Sequence, residues 1–189
     1  MSSHALTRPF PRTLLVAAGS ALAGGLAVLA LIGIVNLFAG SDRQSASAPV
    51  YTAPGHAFSI AVPSGWTALR GSELTRLPGS PAAVLRRSGG SGAVVVRRTG
   101  ALGGNLRTVA RGLTSRLAKR VPGFRLVGAR VGRVRSGAAF LYTFVRDGAA
   151  QSLAVTTVRG VTYRIDSVVP AGAPDAAREA GAAVGSFGP

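Results

Sequence analysis

From Leu14 to Phe38 the chain runs for 25 residues without a charged side chain. As a helix rising about 1.5 Å per residue, such a run reaches roughly 37 Å, enough to cross a hydrocarbon core of about 30 Å. Thirteen of its residues are Leu, Ile, Val or Phe, and each favours insertion by about 0.3–0.6 kcal/mol near the bilayer centre. The expectation is one transmembrane helix over 14–38. Arg8, Arg12 and the α-amino group precede it, whereas only Arg43, beside Asp42, follows it closely. Positive-inside bias then puts residues 1–13 in the cytoplasm and everything beyond the span outside, as a single-pass protein of the cell membrane. A cleaved signal peptide is the competing reading, because Arg8, Arg12, the apolar run and the small pair Ala21 and Ala23 imitate one. The run is longer than the 7–15 residues of such a hydrophobic region, however, and a later small pair, Ala46 and Ala48, is followed by Pro49. Small residues four apart, Ser20 with Gly24 and Ala21 with Gly25, would permit close helix approach, but they are common in membrane helices, so the oligomeric state stays open.

Composition removes several chemistries. With no Cys there is no disulfide framework, no thiolate zinc site, no thiol nucleophile and no lipoprotein anchor. Two His leave little for proton shuttling or metal ligation, and no cofactor is expected. Charge is lopsided: 22 Lys+Arg against 6 Asp+Glu give +16, and Lys119 is the only lysine. Such a field attracts polyanions, among them anionic lipid and acidic wall polymer. Nucleic acid is disfavoured because aromatic residues are 6%, no reader motif occurs and the expected side is extracytoplasmic. Arg over Lys, with heavy Ala and Gly use, points to a GC-rich genome such as that of an actinobacterium.

After the span, residues 39–55 are rich in Ser, Ala, Pro and Gly without periodicity and read as a flexible tether. The rest, 56–188, reads as one extracytoplasmic α+β domain. Phe58, Ile60 and Val62 alternate with Ser59 and Ala61 before a turn at Pro63-Ser64-Gly65, which predicts a half-buried strand. The runs 82–87 and 93–98 flank Ser88–Gly92 as a hairpin. From Asn105 to Val121, Leu106, Val109, Leu113 and Leu117 recur three or four apart, so a helix is predicted, stopped by Pro122-Gly123. Runs 124–135, 138–146, 149–158 and 161–168 are separated by Ser136-Gly137, Asp147-Gly148 and Arg159-Gly160, the turn chemistry of antiparallel hairpins, and predict a four-stranded meander. Phe140, Tyr142 and Phe144 share a face of one strand, and Val161, Tyr163 and Ile165 a face of another, giving the sheet a greasy side for two helices to cover. The second helix starts near Pro174 with Asp175 and Glu179 placed for the helix dipole, and turns Ala177, Ala180, Val184 and Phe187 inward.

The segment Phe58-Ser59-Ile60-Ala61-Val62-Pro63-Ser64-Gly65-Trp66, the central helix, the late meander with Val161-Thr162-Tyr163-Arg164-Ile165 and a closing helix ending in Ser186-Phe187 together resemble the extracytoplasmic PsbP/DcrB/LpqN-like superfamily. The resemblance covers about residues 56–188. It implies an antiparallel sheet with packed helices and binding or accessory roles rather than catalysis, and it prescribes no functional residues. The chain departs from it in having an anchor span where a lipid-bearing Cys would be, and in its arginine content.

The candidate sites are few. His56, at the domain boundary, would need a Ser and an acid for nucleophilic catalysis, and no G-x-S-x-G elbow occurs. Of the acids outside the span, Asp147 is explained by its turn and Asp175 and Glu179 by a helix start. Glu73 and Asp166 are then too few for an acid/base pair or an oxygen cage, and Asp166 is expected to pair with Arg164 or a neighbour across the sheet. The glycine-rich loop Ser88–Gly92, with Arg86, Arg87, Arg97 and Arg98 nearby, could offer amides to a phosphate but lacks the Lys-Ser/Thr ending of a nucleotide loop, so a plain hairpin turn is favoured. Arg107, Arg111, Arg116, Lys119 and Arg120 lie off the apolar stripe of the central helix and are the residues assigned to docking an anionic lipid, wall polymer or envelope protein. The simpler account of that helix is sheet cover with solvated cations. The expected function is non-catalytic docking in the cell envelope. The alternatives are a small envelope hydrolase or transferase and a carrier holding an apolar ligand between sheet and helices.

Overall fold

The structure is a computed structural model that describes residues 48–90, 92–100 and 106–189, with 106 and 107 described through their backbone only. The span 14–38, the N-terminal segment and most of the tether lie outside these residues. Among the described residues no helix is long and apolar enough to cross a membrane.

Among the described residues, nine strands and three α-helices follow one another as β1 (Val50–Thr52), β2 (Ser59–Ala61), β3 (Trp66–Ala68), α1 (Gly71–Thr75), β4 (Ala83–Arg87), β5 (Ala93–Arg98), α2 (Leu106–Arg120), β6 (Arg125–Val134), β7 (Gly137–Arg146), β8 (Ala149–Val158), β9 (Val161–Pro170) and α3 (Pro174–Gly185). The strands make one seven-stranded antiparallel sheet in the order β3-β4-β5-β9-β8-β7-β6, and a separate pair β1-β2. The expected meander is present, and it continues through β9 into the hairpin β4-β5. Two of its corners are built as the turn residues predict: Asp147 and Gly148 have φ of 47° and 71°, and Arg159 and Gly160 have 46° and 78°. Positive φ at both central residues matches the right-handed twist of the flanking strands.

Three expectations change. The segment 58–62 does not join the main sheet: β2 pairs with β1, Tyr51 facing Ile60. The end of the expected tether is therefore part of the domain, held because Tyr51 and Ala53 are buried with Phe58 and Ile60. The sheet also has two apolar faces rather than one greasy side. Register places Phe140, Val155, Arg164 and Arg97 in one row and Leu141, Ala154, Ile165 and Val96 in the next. Because successive residues point to opposite faces, Phe140, Tyr142 and Phe144 look one way while Tyr163 and Ile165 look the other. Finally, the helices do not share a side. α3 covers the main core with Ala177, Ala180 and Val184, and Phe187 beyond its end stacks with Phe58 and Tyr163 at ring distances of 4.7 and 5.6 Å. α2 covers a second core of Phe140, Tyr142, Phe144, Leu153 and Val155 with Val109, Leu113 and Leu117.

Candidate docking face

The sequence between Glu73 and Asp147 contains no acidic residue but 15 of the 22 cations. Within it α2 and β6, which lie against each other, carry eight of those cations. On α2, Arg111, Arg116, Lys119 and Arg120 are exposed, and Arg107 belongs to the same helix. None of Arg111, Arg116, Lys119 or Arg120 pairs with a carboxylate among the described residues; Arg116 Nε donates to the Gly112 carbonyl one turn back, at 3.2 Å. On β6, Arg133 is exposed on the face that α2 covers, and Arg125 is exposed on the opposite face.

The apolar stripe of α2 is already used. Val109, Leu113 and Leu117 pack on the second core, and Thr114 ties the helix to the sheet. Its hydroxyl donates to the Ala110 carbonyl at 2.8 Å, which leaves the oxygen to accept from Tyr142 Oη at 2.9 Å. Burial pushes the Tyr142 hydroxyl pKa up. A helix whose apolar side is committed this way has no apolar stripe left to insert into lipid.

Elsewhere four of the five acids among the described residues pair with arginines. Asp166 accepts from Arg164, at 2.8 Å, and from Arg97, at 3.5 Å, as the sequence led us to expect. Asp147 pairs with Arg146, and Asp175 with Arg178. Glu179 does something its position near a helix start does not announce. Its Oε2 accepts from Trp66 Nε1 and from Arg87 Nε, both at 2.8 Å, latching α3 to the edge strand β3 and its neighbour β4. The Arg87 hydrogen bond, helped by that of Trp66 and opposed by desolvation, holds its carboxyl below the ordinary value.

The remaining candidates do not converge. His56 Nδ1 lies 3.5 Å from Tyr163 Oη and its ring rests near Phe58, so it belongs to an aromatic cluster. Among the described residues no three His, Cys, Asp or Glu side chains gather to hold a metal. Ser88–Gly90 forms a tight turn beside a shallow cleft that it lines with Thr67, Leu69, Glu73, Arg86 and Arg87. Glu73 at that cleft, and the commitment of Arg87 to Glu179, work against a phosphate there. Where a carrier would need space, between the sheet and α3, Ala176, Ala180, Ala183, Val184 and Phe187 are all at most 1% exposed.

These features define a class by architecture: a single antiparallel sheet with a helix on each face and a two-stranded flap beside the closing helix. The same fold is found in the PsbP protein of Synechocystis sp. PCC 6803, whose solution structure superposes with a TM-score of 0.52 at 17% identity, over 77% of this chain and 94% of that one. LpqN of Mycobacterium tuberculosis, described as involved in cell envelope biogenesis, aligns over 77% of this chain and 88% of its own at 14% identity and a TM-score of 0.45. No family model matches the sequence, and no curated protein matches it significantly. The resemblance read from the segment 58–66 and the late meander thus holds at the level of the PsbP-like fold.

Proposed function

We propose that the chain is a membrane-anchored accessory domain of a bacterial cell envelope that docks without catalysis to an anionic envelope component, through the outer face of α2. One observation carries this reading: α2 has spent its apolar stripe on the sheet and turns Arg111, Arg116, Lys119 and Arg120 to solvent without a carboxylate partner among the described residues. The run 14–38 supports the anchor, and its flanking charges support an outward-facing domain. The likeness to the PsbP fold supports an accessory role.

Two measurements test it. Protease added to intact spheroplasts is expected to digest the domain; survival there with digestion after lysis overturns the orientation. Replacing Arg111, Arg116, Lys119 and Arg120 by Gln is expected to weaken binding to vesicles rich in anionic lipid by roughly tenfold or more and to flatten its salt dependence. Unchanged binding would remove α2 as the docking element.

A further inference from the structure

The two ends of the main sheet differ. One edge is β3, three residues long and followed directly by α1. The other is β6, ten residues long, paired only with β7. At its C-terminal end β6 is closed off: the Arg135 amide donates to the Gly185 carbonyl and the Ser136 amide to the Phe187 carbonyl, at 2.8 and 2.9 Å. No described segment pairs with the outer side of residues 125–133. Amides along a strand alternate in direction. The outward Arg135 amide therefore sets a parity in which the amides of Val131 and Arg133 also point away from β7.

The side chains of this edge are as unusual as its length. Leu126 and Val131 are 39% and 56% exposed and, with Val50, are the large hydrophobic residues left uncovered among the described residues. Register with β7 puts Leu126, Ala129, Val131 and Arg133 on the face shared with Phe140, Tyr142 and Phe144, alongside α2. Arg125 lies on the opposite face. Long open edges invite pairing with another strand, and proteins normally shorten, cover or charge them. The arginines here act selectively. A second copy pairing edge to edge would bring like charges together, while an acidic strand would meet complementary ones.

We infer that β6 accepts an extended acidic segment of a partner protein as an eighth strand, with small apolar residues against Leu126, Ala129 and Val131 and carboxylates on the opposite face, the side of Arg125. This deepens the docking function proposed above, naming the partner class for the basic face, and rests on it. Main-chain hydrogen bonds supply affinity in such an addition, and alternate side chains supply selectivity.

The test uses the full chain in neutral detergent and a synthetic ten-residue peptide of alternating Val and Glu. We expect binding, protection of the Val131 and Arg133 amides from hydrogen exchange, and affinity about tenfold or more weaker when alternate amides of the peptide are N-methylated, a change that leaves charge intact. Val131→Pro should also abolish binding, since it removes an outward donor at an edge where proline is tolerated. The peptide-side control stands even if that variant folds poorly. Equal affinity for methylated and unmethylated peptide overturns strand addition in favour of simple charge attraction. Concentration-dependent dimers without peptide binding overturn it in favour of a second copy. Vesicle binding with no peptide binding overturns it while leaving the docking function of α2 standing.

Discussion

Glu179 shows how one side chain can be assigned a sensible role from sequence and hold a different one. Near a helix start an acid suits the dipole, yet its carboxylate is the shared acceptor of Trp66 and Arg87, which lie 113 and 92 residues away along the chain. No local pattern signals a partner at that separation. The consequence is a defined pH response. The folded pKa lies below the ordinary 4.5, chiefly because Arg87 stabilises the charged form. The stability this contributes is complete above the unfolded value and is lost as pH falls through the folded one. Thermal unfolding followed by circular dichroism should show Tm of the native chain dropping more steeply between about pH 5 and 3 than that of Glu179→Gln. Near neutral pH the variant should be the less stable of the two. Parallel pH profiles would show that the latch contributes nothing. The Asp166 pairings, in contrast, were legible, because Arg164 is two residues away on the same face of the same strand.

At the scale of elements, the meander was readable because its corners are local. Asp147-Gly148 and Arg159-Gly160 fix two-residue loops, and those loops fix register. The way the faces divide between the helices was not readable, since alternation gives the phase within a strand but not which helix covers it. The same limit hid β1: Val50-Tyr51-Thr52 is brief, sits among Ser, Ala and Pro, and is ordered by burial of Tyr51 rather than by its own pattern. α2 was legible as a helix and as a cationic surface, and its anchoring is testable. Tyr142→Phe removes the hydroxyl beneath Thr114 and leaves the ring, so a loss of about 0.5–1.5 kcal/mol is expected from denaturant unfolding. On β6, a Cβ at Gly132 would meet Leu141 Cδ1 at 2.5 Å within a packed core. Gly132→Ala should cost about 1–3 kcal/mol by overpacking, and no change would mean that Leu141 has room to turn.

For the molecule as a whole, charge and chain path set behaviour together. Five acids lie within the described residues, and four of them pair with arginines, so the exposed cations of α2, Arg111, Arg116, Lys119 and Arg120, are left without a carboxylate among the described residues. Chain path matters as much. Ser59 and Gly188 exchange backbone hydrogen bonds, Arg135 donates to the Gly188 and Pro189 carbonyls, and the Gly185 and Phe187 carbonyls complete the end of β6. Residues from both extremities of the domain therefore meet in one seam, with Phe187 at 0% exposure inside it. A polypeptide stitched this way cannot finish closing until residue 188 has been made and freed, so its fold is completed late, only once the whole domain is available.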